Sequence, residues 1–156
     1  MYKTILVPHG GTPAGDESLK HAINIAKSSS SKIILLHVVE ELQYPPTFAL
    51  SSSERESMRA SIQSANYAMK KEMRQELEKK ISACRENNIE AQIDVRIGFP
   101  ADEIINVVKE HNVDLIVMAK RRKLKGVKKL LSLGSVSRKI VENVECPVLL
   151  IDIENL

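Results

Sequence analysis

The chain has 156 residues, 43% hydrophobic and 28% charged, a size and balance that suit one soluble globular domain over 1–156 and argue against disorder. Two cysteines, Cys84 and Cys146, are too few for a disulfide framework or a cysteine-built zinc site. The net charge of +3 is unevenly spread: residues 120–139 hold nine Lys or Arg and no acid, while the rest carries 14 basic against 20 acidic side chains.

The opening segment is too short in apolar length for a signal peptide. No run reaches the ~20 apolar residues of a membrane helix, so a cytoplasmic protein without a membrane partner is expected. Residues 4–7 (Thr-Ile-Leu-Val) read as a first strand, continuously apolar and therefore covered on both faces. A helix is expected over 16–27 and a second strand over 32–39. After a loop at 43–53 with Pro45-Pro46, two capping boxes, Ser51 with Glu54 and Ser53 with Glu56, open a long helix over 53–86. Its stripe of Met58, Ile62, Ala65, Met69, Met73, Leu77, Ile81 and Cys84 reads as one core-facing seam, and Asn87-Asn88 ends it. Residues 89–97 alternate apolar Ile89, Ala91, Ile93, Val95 and Ile97 with polar partners, the mark of a half-solvated edge strand. A helix over 101–111 follows, then an apolar strand over 114–118, a helix over 135–143 and a last apolar strand over 147–153. Strict alternation of strand and helix predicts an α/β fold: a doubly wound five-stranded parallel sheet with helices on both faces.

Ligands of such sheets bind beyond the carboxyl ends of the strands, where neighbouring crossovers diverge. Three segments converge there: Pro8-His9-Gly10-Gly11-Thr12, Met118-Ala119-Lys120-Arg121-Arg122, and the helix start Gly134-Ser135-Val136-Ser137. Glycine and serine at a helix start expose backbone N–H groups to an anion, and seven basic residues at 120–129 add positive field. The pattern points to a small phosphate-bearing ligand. His9 is the one candidate acid or base nearby, and no nucleophile–base–orienter set assembles around it, so no enzyme is expected. Nucleic-acid binding through the basic 120–129 run is the rival, disfavoured because that run holds no aromatic residue to stack bases.

Six segments together resemble the universal stress protein family over essentially the whole chain. They are Thr4-Ile5-Leu6-Val7-Pro8, Leu35-Leu36-His37-Val38-Val39, Gly98-Phe99-Pro100-Ala101, Asp114-Leu115-Ile116-Val117-Met118, Gly134-Ser135-Val136-Ser137 and Cys146-Pro147-Val148-Leu149. The resemblance implies strand order 3-2-1-4-5, a HUP-type fold like that of the adenine-nucleotide α-hydrolases, and a role in stress response or signalling. It also implies a homodimer through the strand at 147–153. One branch of the family binds ATP through a glycine loop and an aspartate; those positions fall here on Ala119, Arg122, Gly134 and Ser135, and on Gly10. The loop is two residues longer and Arg122 replaces a glycine, so the phosphate end gains charge while the adenosine end loses a polar contact. The implied ligand is ATP, ADP or AMP, with phosphates on Gly134, Ser135, Val136, Ser137 and Arg122 and a base near Pro8 and Val38. A ligand-free dimeric scaffold is the alternative.

Overall fold

The computed structural model, which describes residues 1–41, 44, 46–120 and 133–152, turns each apolar run into a parallel strand. Among these residues the elements are β1 (Thr4–Pro8), α1 (Pro13–Ser29), β2 (Lys32–Glu40), α2 (Ser52–Glu86), β3 (Ala91–Gly98), α3 (Pro100–His111), β4 (Leu115–Lys120), α4 (Ser135–Asn143) and β5 (Val148–Asp152). The sheet order is β3-β2-β1-β4-β5 with every pair parallel, as expected. Several boundaries differ from the sequence reading by one to three residues, and two of these have a plain local cause. Helix α1 begins at Pro13 because the Thr12 hydroxyl accepts from the Gly15 N–H and Pro13 needs no donor partner in the first turn. Strand β3 begins at Ala91 because the Ile89 N–H turns back to the Cys84 carbonyl and closes α2.

Alternation along the strands divides the core in two. Ile5, Val7, Ile33 and Leu35 face α1 and α2 through Leu19, Ala22, Leu77 and Ile81. Leu6, Ile34, Leu36 and Ile116 face α3 and α4 through Ile104, Val107 and Ile140. β3 is an edge, as its pattern requires: Ile93 and Ile97 pack on the α1–α2 side, while Arg96 on the other side holds Asp94, Glu103 and Glu110. At the opposite edge β5 leaves Leu149 37% exposed. Asp114 ties the sheet's amino end together, its carboxylate accepting from the Lys3 and Thr4 N–H groups at 2.9 Å each.

The Ser51 capping box forms; α2 starts at Ser52, one residue before the expected start, so Ser53 serves inside the helix. The core-facing seam of α2 is only half as long as its spacing suggested. Leu77, Ile81 and Cys84 are buried and Met73 packs on them, but Ala65 and Met69 are exposed and Met58 and Ile62 half-buried. The reason is geometric. Each four-residue step overshoots a turn by about 40°, so a run of such steps winds around the helix instead of tracking the sheet.

Candidate functional site

A cavity of about 370 Å³ opens at the carboxyl ends of β1, β2 and β4, within the range of small-molecule sites. Its floor is apolar, built by Leu36, Val38, Ile104 and Met118, with Pro8 and Pro100 at the rim. The location is the switch point at which the crossover from β1 runs through α1 on one face and the crossover to β4 runs through α3 on the other.

One wall is the turn from β1 into α1. His9 extends the ladder by one bond, its N–H donating to the Leu36 carbonyl at 2.7 Å. Its side chain is buried, with Nδ1 accepting from the Gly11 N–H and Nε2 3.0 Å from an Asp16 carboxylate oxygen. An accepting Nδ1 leaves the proton on Nε2, so the ring is neutral and the Asp16 contact is a hydrogen bond to a carboxylate. Burial holds the imidazole below its ordinary pKa, outweighing the pull of Asp16. Asp16 is itself below the usual carboxylate range: partial burial opposes its charge, but Lys80 from α2, at 2.6 Å, and the His9 N–H overcome it. Gly15 leaves room for the ring, since a Cβ there would stand 2.8 Å from it. Gly11, at φ +71°, makes the turn that brings its N–H under Nδ1. The His9 carbonyl accepts from His37 Nδ1 at 2.7 Å. Both nitrogens of His9 are thus committed to the protein, and the wall is self-satisfied.

The other wall is the carboxyl end of β4 and the start of α4. Ala119, Lys120, Val136 and Ser137 line it. Gly134 is the N-cap of α4, and no side chain caps the helix. Among the described residues, a Cβ at Gly134 would meet nothing within 4 Å. Lys120 Nζ lies 3.9 Å from Asp152 and brings a cation to the same wall, while Glu40 and His37 close the β2 side.

Of the residues singled out from sequence, Pro8, His9, Gly10, Val38, Met118, Ala119, Val136 and Ser137 line this cavity together. Gly134 and Ser135 stand just behind them at the start of α4. Arg122, and the basic run beyond Lys120, lie outside the described residues. Among the described residues, a Cβ at Gly10 would meet only Thr12, at 3.9 Å. Sequence reasoning missed His37, Glu40, Pro100 and Ile104, which reach the cavity only because β2 and α3 flank β1. It also missed Asp16 and Lys80 as partners around His9. The one available signal was Gly15 six residues after a histidine in a turn, which hints at a bulky neighbour and not at its identity.

The sequence matches the profile described as Universal stress protein family over residues 1–152. It is 32% identical over 151 residues to the universal stress protein of Methanothermobacter thermautotrophicus, covering 97% of this chain and 96% of that one. Against Universal stress protein MJ0531 of Methanocaldococcus jannaschii the identity is 30% over 151 residues, covering 97% and 82%. The solved structure of MJ0577 superposes with a TM-score of 0.80 at 23% identity, covering 100% and 99% of the two chains. A universal stress protein solved in complex with cAMP gives 0.64 at 16% identity, covering 96% of each. A family protein of Arabidopsis thaliana solved with AMP bound gives 0.58 at 20%, covering 97% and 92%. The chain belongs to the universal stress protein family.

Proposed function

We propose that this universal stress protein binds a nucleotide or similar phosphate-bearing small molecule in the β1/β4 cavity and acts as a stress-response or signalling protein of the cytoplasm, without catalysing a reaction. The observation that carries the reading is the pairing of an apolar floor with an uncapped helix start and Lys120 on one side of the same cavity. An apolar floor suits a planar base, and the helix N–H groups with a nearby cation suit an anion. Phosphates lie on the N–H groups of Gly134, Ser135 and Val136, aided by the Ser135 and Ser137 hydroxyls and Arg122; the base lies near Pro8 and Val38. The structural neighbours solved with AMP and with cAMP support AMP, ADP or ATP as the ligand.

The non-catalytic reading rests on His9. A general base needs a ring nitrogen able to take up a proton, and His9 has both engaged inside the fold. Gly10 offers the base no polar side chain, so discrimination between adenine and guanine is weak. Calorimetric titration of AMP, ADP, ATP and GTP tests this. Binding of all four with similar affinity, weakening with salt, is expected; strong preference for ATP over GTP refutes the selectivity, and silence from all four favours the ligand-free scaffold.

The proposed assembly is a homodimer through residues 147–153. β5 is an edge strand with an exposed apolar side chain, and a two-fold antiparallel pairing would satisfy its backbone. Leu149→Lys is expected to convert the dimer to monomer in sedimentation; an unchanged dimer would put the interface elsewhere.

A further inference from the structure

The winding of α2 leaves a second seam. Arg55, Met58, Ile62, Ala65, Met69 and Glu72 follow one another at spacings of three, four, three, four and three residues, a heptad a/d pattern. At about 100° per residue this seam lies about a quarter turn from the line of Asn66, Leu77 and Cys84 that faces the protein. Arg55, Ala65 and Glu72 are exposed, Met69 is 44% exposed, and Met58 and Ile62 are half-buried. Met73 lies against Gly11 in the loop after β1.

The order of side chains along the seam is its own complement. It begins with a cation, runs through four apolar residues and ends with an anion. An antiparallel copy related by a two-fold axis sets Arg55 opposite Glu72 at both ends, Met58 opposite Met69, and the large Ile62 over the small Ala65. A parallel copy in register would set Arg55 on Arg55 and Glu72 on Glu72. A foreign helix would give no reason for the seam to complement itself. The Arg55 Nε donates to the Leu50 carbonyl at 3.0 Å, which aims the guanidinium without consuming its terminal nitrogens.

We infer that the N-terminal half of α2 is a docking surface for α2 of a second copy of this chain, packed antiparallel through the seam from Arg55 to Glu72. The seam is about 26 Å long, so the contact is smaller than a standard stable interface and the association is reversible at moderate concentration. It is separate from any contact through β5: α2 packs on β2 and β3, at the other end of the sheet.

The test is site-directed cross-linking in a Cys146→Ala background; the remaining Cys84 is buried, and burial pushes its thiol up to about 11, so it does not react at neutral pH. Met58→Cys and Met69→Cys chains are mixed and treated with a short bis-maleimide. Cross-linked dimer is expected in the mixture and not in either variant alone. Product from one variant alone, or no product in the mixture, overturns the proposal. Arg55→Glu or Glu72→Arg introduced singly into both chains is expected to abolish the product, and the two together to restore it. Failure of the double swap to restore product, with helix content unchanged by circular dichroism, also overturns it. The cross-link is expected to persist with Leu149→Lys; its loss there would assign it to the strand edge and sink the inference.

Discussion

The two walls of the cavity are built on opposite principles. On the β1–α1 wall the polar side chains are spent within the fold: His9 is held by Gly11 and Asp16, Asp16 by Lys80, and the His9 carbonyl by His37. On the β4–α4 wall, among the described residues, the helix start has no side-chain cap and a Cβ at its N-cap glycine would touch nothing. Proximity to a cavity therefore does not make a residue a ligand-binding one. The closed wall sets the shape of the pocket, and the open wall holds the groups that can still gain by binding an anion.

Substitutions can separate the walls. On the closed wall the test is Gly15→Ala, because its Cβ would stand 2.8 Å from the buried His9 ring. A loss of about 1–3 kcal/mol in urea unfolding is expected, with nucleotide affinity of the folded fraction nearly unchanged. An unchanged midpoint would mean that His9 moves aside at little cost and the wall is not closed. The converse is Lys120→Ala, which should leave unfolding almost unmoved yet weaken AMP binding roughly tenfold at low salt, and by less as salt rises. If its effect falls on stability and not on affinity, the open wall is structural as well.

A finer test uses acid. His9 titrates in the folded protein below its ordinary value of 6.5. Above pH 6.5 both states are neutral there and the residue contributes no pH dependence. Between 6.5 and the lowered folded value the unfolded chain takes up a proton that the folded one refuses, so stability falls on acidification, by at most about 1.4 kcal/mol per pH unit. Asp16 acts in a separate window: its lowered value gives stability that is present above 3.8 and lost as pH falls through the folded value. Unfolding midpoints of the parent and of His9→Gln between pH 7 and 5 should diverge in slope, the variant being flatter. Parallel slopes would mean that His9 takes up its proton in place.

The smallest expected effect contrasts the two halves of α2, one committed to the core and one not. Met69→Ala should cost well under 1 kcal/mol, since the side chain is 44% exposed. Leu77→Ala, by contrast, should cost about 2–5 kcal/mol, because it empties a site in the core beneath β2 and β3. A large Met69 effect in dilute protein would show that the seam already packs within one chain.

Local pattern by itself determined much of this protein. The continuous apolar runs of β1 and β4, the alternation of β3 with its polar partners outward, the cap at Ser51 and the helix start at Gly134 could all be read from neighbours a few residues apart. Residue types and periods of two or 3.6 record local burial directly. The convergence of the segments after β1 and β4 and at the start of α4 followed from the rule that ligands bind beyond strand ends, while the strand order and the place of Val38 came from the resemblance to the family. What only the tertiary structure decided involves distant residues or accumulated angle. Lys80 meets Asp16 across 64 residues, and Glu40 reaches the cavity because β2 lies beside β1. No local pattern carries either contact. The methionine stripe of α2 reads as one seam in sequence, yet a 40° drift at each four-residue step turns half of it away from the sheet, and only the placed helix shows where the core ends.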